Sequence, residues 1–104
     1  MKLRIEGNSI RFRLTPKEVN HLCKEGMVEE KCKIGDYTCV YLVVSGNEEA
    51  ISARMMNGQV QLNLPATLIR GWQSDDRIGF EATDHNELHM RVEKDFHYWP
   101  SLKK

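Results

Sequence analysis

Residues 1 to 17 carry five cations, Lys2, Arg4, Arg11, Arg13 and Lys17, against a single anion, Glu6. Side chains of this type hold phosphates, and phosphate contacts supply most of the affinity of proteins for DNA. Arg11 and Arg13 alternate with Ile10, Phe12 and Leu14, so they point to solvent if those three point to a core. Lys2, Arg4 and Glu6 alternate in the same way with Leu3 and Ile5. The plainer alternative is a solvated sheet face on which arginine lies opposite glutamate across a hairpin.

Other residue types invite other chemistry. His85 and His89 are four apart, which on a strand is about 13 Å at 3.3 Å per residue. Two zinc bonds near 2.1 Å need ligands much closer, so exposed polar histidines are the expectation. Cys32 and Cys39 flank Gly35-Asp36. A two-residue turn there sets Ile34 opposite Tyr37 and Cys32 opposite Cys39. That is a hydrogen-bonded pair, whose side chains are farther apart, so a disulfide is possible but poorly set up, and a reduced, buried pair is the expectation. A longer loop, as in the second half of the chain, sets Cys32 near Thr38 instead, and one residue of slip exchanges the faces. Glu30 falls on a strand among apolar neighbours, where burial raises a carboxyl pKa; a hydrogen bond to a tyrosine is the expected partner. Tyr98-Trp99 is expected to seal one end of the core, with docking of a partner as the alternative.

No nucleophile motif, P-loop or GxGxxG is present. No two carboxylates pair in an apolar setting, as acid–base catalysis requires. The expectation is therefore a protein without catalysis, cofactor or metal. Formal net charge is zero over 104 residues, which leaves no global field toward DNA or an anionic membrane. The opening Met1-Lys2-Leu3-Arg4 has no apolar run of the kind in a signal peptide. No apolar stretch approaches the roughly 20 residues of a membrane span. Three cysteines without metal spacing suggest a reducing, cytoplasmic setting.

The elements that must position these residues follow from periodicity. Alternation on both sides of Gly7-Asn8 predicts a β-hairpin. Thr15-Pro16-Lys17-Glu18 is a capping box with proline at the first helical position. Val19, Leu22 and Cys23 then form one helix face, and Gly26 ends it. Val28–Ile34 reads as a strand, and Tyr37–Val44, apolar on both faces, as the most buried one. Residues 45–49 form a loop between two halves. Ile51, Ala53 and Met55, Asn57-Gly58, then Val60, Leu62 and Leu64 predict a second hairpin. Pro65 to Trp72 predicts a second short helix, with Leu68, Ile69 and Trp72 on one face. Strands around Ile78–Ala82 and Leu88–Val92 complete the plan, and Tyr98-Trp99-Pro100 stops any further strand.

At an offset of 50 the apolar positions coincide: Ile10 with Val60, Phe12 with Leu62, Leu14 with Leu64, Val28 with Ile78 and Leu42 with Val92. Glu30, which meets Phe80, is the misfit. The expected fold is α+β, mostly β. Two ββαββ-like halves, 1–46 and 51–96, form one pseudo-twofold barrel or sandwich with two short helices, followed by a tail at 97–104. Each half alone leaves one sheet face bare, and the other half covers it.

Leu64-Pro65-Ala66-Thr67-Leu68, with Trp72, Asp76 and Ile78, resembles the strand–proline–helix–strand core of AbrB-type and MazE-type swapped-hairpin domains. Leu14-Thr15-Pro16 through Val28 is similar, with threonine where the proline sits. The helix-to-strand loop is about two residues short of that pattern and lacks its Pro-Gly-Asp. The resemblance implies two interleaved units and a DNA-binding regulator contacting phosphate through Arg4, Arg11, Arg13 and Lys17. Gln59, Gln61 and Asn63 stand in the matching places of the second half, so only a homodimer would double the basic patch. Lys2-Leu-Arg-Ile-Glu-Gly-Asn-Ser-Ile-Arg-Phe-Arg-Leu-Thr and Val92-Glu-Lys-Asp-Phe96 also resemble a small family of uncharacterised bacterial proteins with no assigned function. The primary expectation is thus a small cytoplasmic binding or interaction module, with an unidentified protein or a second copy as partner. DNA binding is the alternative.

Overall fold

A computed structural model describes residues 1–99. The first hairpin is β1 (Lys2–Glu6) and β2 (Ser9–Leu14). The helix α1 (Pro16–Glu25) follows directly. Its capping box forms as the sequence requires: Glu18 N–H donates to Thr15 Oγ1 at 3.2 Å, and Thr15 N–H donates to Glu18 Oε1 at 2.9 Å. Gly26, in the left-handed conformation, ends the helix and returns its N–H to the Leu22 carbonyl. Val19 and Leu22 are fully buried, so the helix is held by one apolar face.

The hairpin β3 (Met27–Ile34) and β4 (Tyr37–Gly46) comes next, then β5 (Ser52–Met56) and β6 (Gln59–Pro65). β7 (Gly79–Thr83) and β8 (His89–Lys94) close the order. The strands make two four-stranded sheets, ordered β1-β2-β8-β7 and β3-β4-β6-β5. Each sheet joins two antiparallel hairpins through one central parallel pair, β2 with β8 and β4 with β6. Phe12, Leu14, Met90 and Val92 from one sheet meet Val43, Leu62 and Leu64 from the other in a single core, with Val19, Leu22 and Trp72 packed in.

Of the two expected forms, barrel or sandwich, the barrel is excluded: β1 and β7, and β3 and β5, remain edges with no pairing between the two sheets. The charged residues Lys2 and Arg4 on β1 suit an exposed edge. The second short helix does not form as an α-helix. β6 runs through Pro65, residues 66–71 pass as turns, and only Trp72–Ser74 winds as a 3₁₀ turn. Leu68 N–H donates to the Pro65 carbonyl and Trp72 N–H to the Ile69 carbonyl, which is three-residue rather than four-residue spacing. The apolar side chains still arrive as expected, with Ile69 and Trp72 buried.

Arg77 holds this irregular segment together. Its guanidinium donates to the Leu68 carbonyl at 2.6 Å, the Arg70 carbonyl at 2.8 Å and Asp75 Oδ2 at 2.8 Å. Trp72 Nε1 donates to the Arg77 carbonyl at 2.8 Å, so the buried indole and the guanidinium fix one another. The paired guanidinium lowers the Asp75 pKa below its ordinary value. A further 3₁₀ turn, Phe96–Tyr98, is capped by Asp95, whose Oδ1 accepts from His97 N–H at 3.1 Å. Among the described residues no helix is long and apolar enough to cross a membrane.

Candidate functional site

Strand alternation puts Lys2, Arg4, Arg11 and Arg13 on the outer face of the first sheet, because Ile10, Phe12 and Leu14 are buried beneath. The hairpin register sets Arg4 opposite Arg11 and Lys2 opposite Arg13. The expected Arg–Glu pairing across this hairpin does not occur; Glu6 lies opposite Ser9. The parallel join to β8 then brings Arg91 beside Arg11, and β7 sets Glu81 beside Arg91. One row across the sheet therefore reads Arg4, Arg11, Arg91, Glu81. With strands about 4.8 Å apart, three arginines stand within roughly 10 Å.

Like charges directly opposite one another cost stability, so the countercharges matter. Glu93 serves three arginines at once: Arg11 at 3.7 Å, Arg13 at 3.6 Å and Arg91 at 3.1 Å. Arg91 also meets Glu81 at 3.4 Å, and Arg4 meets Glu6 at 3.5 Å. Lys2 reaches Asp95 at 3.1 Å. Burial works against the Asp95 carboxylate, but Lys2, the His97 N–H and Arg13 outweigh it and leave its pKa lowered. The arginine side chains stay partly open to solvent, Arg4 at 62%, Arg91 at 39% and Arg13 at 37%, with Arg11 at 21%. A shallow depression of about 110 Å³ is lined by Lys2, Arg4, Arg11 and Arg13 alone. A second, of about 170 Å³, lies between Arg4, Arg11, Arg91 and His89.

Of the four residues read from sequence, the structure brings Arg4, Arg11 and Arg13 together. Lys17 is not with them; it is exposed at the start of α1 and lines neither depression. Arg91 and His89 join the face from β8, 80 positions along in register. Only the alternation Leu88, Met90, Val92 signalled that Arg91 faces outward. The second sheet has no such row: Arg54, Gln61, Leu42 and Glu29 occupy its corresponding level. Gln61 and Asn63 are hydrogen-bonded to each other at 2.6 Å there, and Asn63 to Ser52 at 3.2 Å.

His89 Nε2 meets Glu81 Oε2 at 3.3 Å, while His85 is exposed in the 84–88 loop. Glu30 lies directly across from Tyr41 but is half-exposed, and no hydrogen bond joins them. Burial first and then Glu30 raise the Tyr41 pKa. The tight turn at Gly35-Asp36 is the one adopted, and Cys32 pairs with Cys39 in register. The pair is reduced but not buried: Cys32 is exposed and Cys39 half-buried. Nor is β4 the most buried strand, since Tyr37 is 81% exposed. Its first residues run past the end of β6, which begins opposite Val40, so no sheet covers them. Trp99 packs against the core, with Lys94 Nζ 5.4 Å from its ring. Pro100 and the rest of the tail lie outside the described residues.

Lys94 was not legible in advance. It is 2% exposed, donates to the Asp75 carbonyl at 2.6 Å and lies 5.9 Å from the Trp72 ring. Burial lowers its pKa, opposed by the nearby Asp75 and Asp76 charges.

No curated protein and no solved structure matches the chain. One family model does match, over residues 1–99, and by it the chain belongs to DUF7009, a family of unknown function.

Proposed function

We propose that this chain is a small binding module, without catalysis of its own, that docks an anionic partner on the outer face of its first sheet. The observation that carries the reading is the row Arg4, Arg11, Arg91 across three adjacent strands. Three like charges side by side oppose folding, and the same level of the second sheet manages with one arginine, a glutamine, a leucine and a glutamate. Planar guanidinium groups match carboxylate and phosphate oxygens two at a time. Fluorescence anisotropy with a labelled polyglutamate and a labelled random DNA duplex tests it at low salt. Binding of either polymer, lost in Arg4→Gln and Arg91→Gln, supports the reading. Absence of binding to both removes it.

A second reading, a DNA-binding regulator of the swapped-hairpin kind, is favoured by a separate observation. Each sheet combines one hairpin from residues 1–46 with one from 51–96. Exchanging the two halves carries the order β1-β2-β8-β7 into β5-β6-β4-β3, which is the second sheet. On this pseudo-twofold reading the Val28–Val43 pair corresponds to Phe80–Val92. It replaces the gapless matches of Val28 with Ile78 and Leu42 with Val92, and Glu30 no longer falls on Phe80. DNA recognition would show as duplex binding that falls steeply with salt, while polyglutamate does not bind. A second copy of the chain would double the arginine row, and light scattering on the complex would show it.

A further inference from the structure

The hairpin β3–β4 projects beyond its sheet. β6 begins at Gln59, opposite Val40, and Val40 itself faces Lys31. Residues 32–39 are thus a two-stranded arm with no third strand beside it among the described residues, and every residue from Lys31 to Thr38 is exposed. A two-stranded ribbon of this kind is marginally stable by itself. Its turn has Gly35 at φ 62° with Asp36 on the ordinary side, the type II′ pattern whose twist matches the strands. A two-residue turn closes on a hydrogen-bonded pair, here Ile34 with Tyr37. Alternation makes Lys33–Thr38 the non-hydrogen-bonded pair and Cys32–Cys39 hydrogen-bonded again. Opposed residues share a face, and their Cα atoms in such a pair are about 5.5 Å apart. Disulfides have a usual Cα separation of about 5.5–6 Å, but their Cβ atoms lie about 3.5–4.5 Å apart, closer than opposed side chains of a hydrogen-bonded pair. Closing the bridge must therefore twist the arm, which has no third strand to resist it.

We propose that Cys32 and Cys39 are a site of reversible oxidation, closing to a disulfide across the arm when a hydroperoxide reaches it. The exposed Cys32 supplies the attacking sulfur. Its sulfur takes the terminal peroxide oxygen, the O–O bond breaks, and the leaving oxygen departs as water or alcohol after protonation. Cys39 sulfur then attacks the Cys32 sulfenic sulfur; the S–S bond forms, the S–O bond breaks, and hydroxide leaves as water. The two sulfurs together lose two electrons, and the peroxide gains them. A thiol reductant reverses the bridge by exchange, and exposed bridges are the ones such reductants open. The oxidised arm has its two strands covalently tied, with Ile34 and Tyr37 fixed at the tip. Cys23 supplies an internal control: it is half-buried, and its Sγ donates to the Ile69 carbonyl at 3.5 Å.

The test is treatment of the reduced full chain with one equivalent of hydrogen peroxide, followed by alkylation, trypsin and mass spectrometry. The expected product has lost two hydrogen atoms. It links the dipeptide Cys32-Lys33 to the peptide 34–54, leaves Cys23 free to alkylate, reverts with dithiothreitol and forms equally well after dilution. In Cys39→Ser, dimedone traps a sulfenic acid at Cys32 that the wild type does not accumulate. A bridge involving Cys23, a disulfide-linked dimer in place of the internal link, or equal trapping at Cys32 with and without Cys39 would each overturn the proposal.

Discussion

Asp95 shows how one side chain ties the basic face to the fold. It caps the Phe96–Tyr98 turn, pairs with Lys2, and is 5% exposed. Its folded pKa is lowered, so the unfolded chain binds the proton first as pH falls. The stability it contributes is therefore complete above the ordinary aspartate value, about 3.9, and is lost as pH falls from there through the folded value. Asp95→Asn keeps a capping side chain but removes this titration. Urea melts between pH 5 and 2.5 should show the variant losing less stability than wild type on acidification; parallel losses would contradict the assignment. The residue scale was half legible. Arg4, Arg11 and Arg13 were found because alternation shows which way a strand residue points. Lys17 lies past the strand, inside α1, where strand alternation no longer says which way a side chain points. Arg91 was missed because a parallel partner is not a sequence neighbour.

At the scale of elements, the capping box, the Gly35-Asp36 turn and the hairpins follow from local chemistry and were readable. The segment 66–78 was not. Its apolar spacing fits a helix, yet Arg77 offers the Leu68 and Arg70 carbonyls competing donors from nine and seven residues downstream. Arg77→Met leaves the Leu68 and Arg70 carbonyls and Asp75 without that partner, and should cost about 1–3 kcal/mol of unfolding free energy in urea. Arg77→Lys should restore little of it, because one ammonium cannot span three acceptors. A loss under half a kcal/mol for Arg77→Met, on the scale of ordinary surface changes, would show that packing alone holds the segment. Gly79 makes a second prediction. A Cβ there would lie 2.2 Å from the Val92 carbonyl oxygen and 2.7 Å from Glu93 Cα. Those are backbone atoms of β8 that cannot rotate aside, so Gly79→Ala must push β7 off its partner. Overpacking costs about 1–3 kcal/mol even where side chains can shift. The melt of Gly79→Ala should therefore fall at or beyond the upper end, and an unchanged midpoint would contradict the β7–β8 register.

For the whole molecule, hydrophobic alternation was enough to read a mostly β chain with one core, and it left barrel and sandwich undivided. Patterning shows which face of a strand is buried; it does not show whether an edge finds another edge. The same limit hid the two parallel joins, and those joins create the candidate site, since β2 and β8 meet only through them. The proposed role rests on one face of one sheet carrying Lys2, Arg4, Arg11, Arg13 and Arg91, while the chain as a whole has no net charge. The direct measurement is a two-dimensional amide NMR titration of the full chain with a short polyanion, a DNA duplex or polyglutamate, at low salt and again at high salt. Low-salt shifts should cluster on Arg4, Arg11, Arg13 and Arg91 and fade together as salt rises. Shifts centred instead on β3 to β6, or a spectrum unchanged by either polymer, would contradict the proposed role.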